Sequence, residues 1–242
     1  LGMGTIWGLG FALAKLAGEN GAHPIGLVLW ETIGMSIIVT AFLITPTLHP
    51  IGQPVVSTPI CVGMAIALTF HKSGAHLNPA VTGFLTIFGK IRWSRILVYL
   101  AASFSVALVI PGMWRLLSNF GVLPTVPLET VDPGFMFWKE LVATIALLGY
   151  ITIFVLLGKG VWTIVFIPIF LASFQFLWIG GADMNPTITV AMLVVGKYDL
   201  ASFWAHLAGE VLAMVGYLIC GHGLGSIRRL MVSRRHPALL AD

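Results

Sequence analysis

Two short stretches carry most of the polar chemistry of this chain, His76-Leu77-Asn78-Pro79-Ala80 and Asp183-Met184-Asn185-Pro186-Thr187, each at the edge of an apolar run. Proline at a first helical turn lacks a donor that would be orphaned there anyway, and asparagine just before it can cap the exposed N–H groups. Asn78-Pro79 and Asn185-Pro186 therefore predict two helix starts. Set end to end, two such starts would aim positive dipole ends of about +0.5 charge each at one point. The free carboxamide N–H groups of both asparagines could then donate to a passing oxygen. That is a chemistry of orientation and cation repulsion, with no bond made or broken.

Glu31 and Glu140 are the other candidates, since an ionisable group inside an apolar segment is a functional candidate by default. Each opens its segment, as Glu-Thr-Ile-Gly and Glu-Leu-Val-Ala-Thr, and Asn-Pro follows after 47 positions (31 to 78) and 45 positions (140 to 185). The two halves of the chain are thus in register. Nothing has the pattern of catalysis: there is no nucleophile and base paired on a loop, no Cys/His metal spacing and no phosphate-cradling glycine loop. No catalytic residue, cofactor or metal is expected. Glycines such as Gly74, Gly181 and Gly209 are expected to be close helix contacts, and Cys61 and Cys220, both in apolar runs, packed thiols outside any disulfide framework.

The elements that must position these residues follow from composition. Hydrophobic residues make up 58% of the 242, charged residues 9%, and mean hydropathy is +0.98. Most of the backbone must then be satisfied away from water, by helices in a membrane. Apolar segments fall at about 25–45, 54–71, 93–113, 136–157, 161–178 and 200–220, each near the length a bilayer requires. Two pieces are left over, from Asn78 to Gly89-Lys90 and from Asn185 to Gly196-Lys197. About ten residues at 1.5 Å each fall short of a hydrocarbon core of about 30 Å, so these should be re-entrant half-helices. Three spans per half is an odd number, which makes the second half insert inverted relative to the first.

Charge gives the orientation. With the N-terminus inside, ten of the thirteen Lys and Arg residues fall on the inner side and only Arg115, Lys139 and Lys197 outside, as the positive-inside rule asks. Both termini are then expected on the cytoplasmic side, or the matrix or stroma side of an organelle. Basic residues confined to span ends also argue against a nucleic-acid partner. Residues 1–24 are apolar, glycine-spaced and interrupted by Lys15, and are expected to form an interfacial segment. A cleaved signal peptide is disfavoured, because the basic residue follows the apolar stretch.

Ser73-Gly74-Ala75-His76-Leu77-Asn78-Pro79-Ala80-Val81-Thr82 resembles the first pore loop of the aquaporin, or major intrinsic protein, family, and Gly181-Ala182-Asp183-Met184-Asn185-Pro186 is similar to the second. The likeness spans about residues 25–222. It implies an all-α membrane protein with an aquaporin-like inverted repeat: six transmembrane helices and two re-entrant half-helices around a narrow pore, normally a homotetramer. The channel domain would be 25–222, its repeats 25–113 and 136–222, with 223–242 as a basic tail. The function implied is passive diffusion of water and small uncharged solutes, without enzyme activity.

The resemblance also implies roles for residues. Asn78, Pro79, Ala80, Asn185, Pro186 and Thr187 would form the pore centre. Glu31 and Glu140 would accept hydrogen bonds from the re-entrant loops, with His76 beside them. The filter positions fall on Thr58, Ser173, Ala182 and Ile188, and Ile188 stands where water-selective members have arginine. Losing that cation either widens the constriction or lets Ile188 plug it by dewetting. Asp183 would attract cations at the mouth if solvated, and is otherwise expected to satisfy loop or helix N-terminal donors. Glu210 occupies a place where proline is common, and is expected to pair with a neighbouring subunit, pair with another protein, or snorkel outward. The competing expectation is a non-conducting, aquaporin-fold structural subunit of a larger membrane complex.

Overall fold

The computed structural model describes residues 24–48, 57–129, 131–156, 163–177 and 182–235. The described residues form eight helices and no strand: α1 Pro24–Leu48, α2 Ser57–Ser73, α3 Pro79–Ile87, α4 Trp93–Asn119, α5 Pro133–Leu156, α6 Thr163–Leu177, α7 Pro186–Val195 and α8 Leu200–Arg235. The six longer helices fall on the six apolar segments, and α3 and α7 have 9 and 10 residues. Of the longer ones, α1, α4 and α5 meet the length and hydropathy needed to cross a bilayer by themselves. The segment expected at 1–24 lies outside the described residues except for Pro24, as do Gly181, Lys159 and the tail beyond Arg235.

Packing repeats between the halves. Helix α1 packs on α2 and α4 as α5 packs on α6 and α8; α4 lies against α7 as α8 lies against α3; α2 meets α6, and α3 meets α7. Exchanging α1–α4 for α5–α8 returns these same pairs, as an inverted repeat requires. One core joins the halves, with Met35, Val39 and Leu43 of α1 and Ala65 of α2 against Ile188, Ala191 and Met192 of α7. The outside is apolar too, with Ile60, Met64, Trp93, Trp138 and Trp204 all exposed, the face a lipid-embedded protein presents.

Close approach is built in at Gly209 on α8. A Cβ there would stand 2.6 Å from the Phe137 carbonyl oxygen and 2.8 Å from the Glu140 Cβ, both on α5. Neither neighbour is the end of a flexible side chain, so Gly209→Ala should cost about 1–3 kcal/mol through overpacking. Thermal unfolding in detergent is expected to shift down accordingly; an unchanged midpoint would mean the two helices slide apart freely. Gly74 differs from the expectation. It is exposed with φ +90, serving the turn out of α2, which glycine enters without strain. The cysteines differ as well: both are free thiols, but Cys61 is half-buried and Cys220 exposed, because α8 turns Cys220 outward beside the exposed Ile219.

Candidate functional site

The half-helices begin as their sequences dictate. Asn78 has extended backbone (φ −165) and its side-chain oxygen accepts from Ala80 N at 2.8 Å; Asn185 (φ −155) does the same for Thr187 N at 3.0 Å, with proline in the first turn of both helices. The carboxamide nitrogens then cross over. Asn78 Nδ2 donates to the Met184 carbonyl at 2.7 Å, and Asn185 Nδ2 donates to the Leu77 carbonyl at 2.9 Å. The two N-termini therefore meet head to head, each asparagine fastening the other half's loop. A carboxamide has two N–H donors, so each asparagine keeps one beyond this exchange.

Those carbonyls turn inward because Leu77 (φ 46) and Met184 (φ 51) have left-handed backbone, a conformation that costs a non-glycine residue about 1–2 kcal/mol. Buried carboxylates hold it. Glu31 Oε2 accepts from Leu77 N at 2.8 Å, and its Oε1 from His76 N at 3.1 Å and from the Ser73 hydroxyl. Glu140 Oε2 accepts from Met184 N at 2.9 Å, and its Oε1 from Asp183 N and from His206 Nδ1 at 2.7 Å. Both glutamates are fully buried. His76 stacks on Tyr99 with centroids 3.8 Å apart, and its Nδ1 is 3.3 Å from the Thr82 hydroxyl. Tyr99 donates in turn to the Ser73 carbonyl at 2.6 Å.

Both asparagines border one cavity of about 90 Å³, shared with His76, Thr58, Ala182, Asp183 and Ile188 and walled for the rest mainly by apolar side chains such as Phe42, Leu147 and Leu171. One water needs only about 10–15 Å³ of such space. The Thr58 hydroxyl is engaged with Thr45 at 2.8 Å. Pro79, Ala80, Pro186 and Thr187 are buried behind the caps and do not line this cavity. Ser173 is a correction: it is exposed on α6, returns its hydroxyl to the Ile169 carbonyl at 2.8 Å, and does not reach the cavity. Ile167 and Leu171 face it instead. Two residues along a helix turn about 200°, so Leu171 and Ser173 point to opposite sides.

Glu210 is a second correction. It neither snorkels nor waits for a neighbouring subunit; it is fully buried and receives the Thr189 hydroxyl at 3.2 Å. Asp183 accepts from the Tyr198 hydroxyl at 3.1 and 3.0 Å, in the loop after α7, and from the Thr189 hydroxyl at 3.1 Å, near the start of α7. Sequence reasoning passed over Tyr198, Thr189 and His206. The signal was the repeat itself, since His206 follows Asn185 by 21 positions as Tyr99 follows Asn78. Outside the spans, Glu129 pairs with Lys197 at 2.9 Å. Burial works to raise the Glu129 carboxyl, but Lys197, with Lys139 and His206 beyond it, outweighs burial and leaves it below the ordinary carboxylate value.

Residues 26–159 match the profile of the family described as Major intrinsic protein. The chain is 31% identical over 170 residues to aquaporin NIP4-1 of Arabidopsis thaliana, covering 64% of this chain and 56% of that one. It is 26% identical over 197 residues to a NIP-type aquaporin of Nicotiana alata, covering 75% and 71%. To Aquaporin-9 of Rattus norvegicus it is 30% identical over 96 residues, covering 40% and 32%. Against the Arabidopsis protein, then, it spans little more than half of the relative's length. With the matched profile extending over more than half of the chain, and with an all-helical, apolar-faced fold around two opposed half-helices, this integral membrane protein belongs to the major intrinsic protein family.

Proposed function

We propose that the chain is a passive channel for water and small uncharged solutes, its path running through the cavity between Asn78 and Asn185. The observation that carries this reading is the crossed pair of Asn caps: two opposed half-helix N-termini border one cavity, each with a carboxamide N–H to spare. Donors and dipole ends of one sign attract an oxygen lone pair and repel a cation. The names of the relatives, all aquaporins, support the same reading. In it, Glu31 and Glu140 hold the loop carbonyls in place and His76 buttresses the first loop. Thr58, Ala182 and Ile188 form a neutral constriction. Both termini lie on the inner side, and the chain assembles as a homotetramer.

The alternative of a non-conducting structural subunit drew on Glu210 as a group in search of an external partner. Glu210 is fully buried inside the chain and its carboxyl meets Thr189 there, which places it away from the surface a neighbouring protein would touch and weakens that reading. The test is shrinkage of proteoliposomes holding the purified chain under osmotic gradients of impermeant solute, glycerol and urea. Water exchange several-fold above empty liposomes is expected, with measurable glycerol or urea entry. Rates equal to empty liposomes for all three would overturn the proposal.

A further inference from the structure

Behind the second half-helix lies a polar cluster that the proposed path does not use. Counting from each half-helix asparagine, the two repeats place buried side chains at the same positions: His76 and Asp183 two before, Thr82 and Thr189 four after, Tyr99 and His206 at 21, Ser103 and Glu210 at 25. The first repeat fills this scaffold with neutral groups around a single carboxylate, Glu31. The second puts three carboxylates there, Glu140, Asp183 and Glu210. Facing them are one imidazole, His206, and the buried ammonium of Lys139, which interacts electrostatically with Glu140 and Asp183, while Lys197 and Glu129, also near Asp183, neutralise each other as an ion pair.

The hydrogen bonds do not balance this excess. Thr189 has one hydroxyl hydrogen, yet its oxygen lies between Asp183 Oδ2 at 3.1 Å and Glu210 Oε1 at 3.2 Å. Tyr198 supplies one more hydrogen to Asp183. Glu210 Oε2 and His206 Nε2 are buried without a partner. An unpartnered carboxylate oxygen away from water is costly unless a cation neutralises it, and Glu210, reaching the same hydroxyl as Asp183, faces the cluster.

The donor geometry suits one kind of cation. One ligand atom each from Glu140, Asp183 and His206 lie within 4.8 Å of one another, with His206 Nδ1 2.7 Å from Glu140 Oε1 and 3.7 Å from Asp183 Oδ2. Tetrahedral coordination at about 2.0–2.1 Å separates neighbouring ligands by about 3.3 Å, inside that range. We propose that Glu140, Asp183 and His206 bind a divalent transition-metal ion of the zinc class, with Glu210, the third carboxylate of the cluster, as a neutralising charge behind Thr189. A set of oxygens with an imidazole favours zinc, cobalt or manganese over calcium, which takes oxygens alone, and over cuprous ion, which wants thiolates.

On binding, His206, protonated on both ring nitrogens against the surrounding carboxylates, gives up its Nδ1 proton to solvent as the metal–nitrogen bond forms, and the neutral ring keeps its Nε2–H. Glu140 keeps the Met184 N–H through its other oxygen. The ion's two charges and that of Lys139 then match the three carboxylates. Tyr198 orients the site, its ring stacked 4.4 Å from that of His206 and its hydroxyl on Asp183, as a metal ligand's own supports do. Asp183 also lines the central cavity, which gives the ion a way in.

The test uses the full chain without an affinity tag, purified in detergent, stripped with chelator and dialysed against Zn²⁺ or Co²⁺. One ion per chain by elemental analysis is expected, with visible Co²⁺ absorption of tetrahedral intensity and a Zn²⁺-dependent rise in unfolding temperature. Asp183→Asn and His206→Gln should each weaken binding by about a hundredfold or more, and Glu210→Gln by about tenfold. Where a variant does not fold, the native chain decides: Co²⁺ should shift one exchangeable imidazole N–H resonance, that of His206 Nε2. Less than a tenth of an ion per chain, equal affinity in the folded variants, or no shifted imidazole signal would each overturn the site. Binding is read in detergent without any flux, so its failure and a failure of the channel reading are separate results.

Discussion

Glu31→Ala is expected to yield a chain that no longer folds to a monodisperse species in detergent. The carboxylate accepts from three buried donors, the Ser73 hydroxyl and the His76 and Leu77 amides. Each donor left unsatisfied away from water costs about 1–3 kcal/mol. Roughly 3–9 kcal/mol is comparable to the whole stability of an ordinary domain, about 5–15 kcal/mol. The loss falls where the backbone is already left-handed, since this contact and the bond from Asn185 to the Leu77 carbonyl are what hold the Leu77 peptide groups there. Glu31→Gln and Glu140→Gln keep one acceptor oxygen but turn an NH₂ toward backbone N–H groups. They should fold with a lowered unfolding temperature and reduced flux. Unchanged unfolding and size-exclusion profiles across all three variants would refute the supporting role.

Ile188 carries the second large effect, because it belongs both to the core and to the cavity wall and has no exposed surface. Ile188→Ala should destabilise by about 2–5 kcal/mol, the usual penalty for a buried large-to-small change, and should open the constriction at the same time. Glycerol and urea entry is expected to rise more than water exchange, because a wider neutral neck relieves the bulkier solutes most. Ile188→Arg should do the reverse. A guanidinium in a space bordered by both asparagines narrows it and adds a fixed positive charge, so glycerol and urea entry should fall further than water exchange. Stopped-flow light scattering on proteoliposomes of equal protein content measures all of these. Solute ratios identical in the native chain and both variants would remove Ile188 from the path.

Much of the fold was legible because the membrane simplifies the code. Six apolar runs became six longer helices, and Asn-Pro marked both half-helices, since a proline-led start needs only local chemistry. Glu31 and Glu140 stood out as charges in an apolar setting. What escaped depended on helix phase or on distance along the chain. Gapless alignment to the family puts a filter position at Ser173, but the phase of α6 is set by packing on α2, where Gly63 admits Pro168, and that phase turns Leu171 inward. Glu210 seemed to lack a partner because Thr189 lies 21 positions before it. The Glu140, Asp183 and His206 cluster has no short-range signature at all, its members being 43 and 23 positions apart in sequence and brought together by the contact of α5 with α8 and by the loop before α7, whose Asp183 amide bonds Glu140.

The central claim is that the cavity bounded by Asn78 and Asn185 is the conducting path. It is tested most directly by Ala182→Cys in a chain whose own thiols, Cys61 and Cys220, are replaced by alanine. Ala182 lines that cavity, so a small methanethiosulfonate reagent should reach it from water. Osmotic water exchange in proteoliposomes should then fall to the rate of empty liposomes and return on reduction with dithiothreitol, while the cysteine-free parent stays unaffected. Complete labelling with flux unchanged, or a thiol that never reacts, would contradict the account.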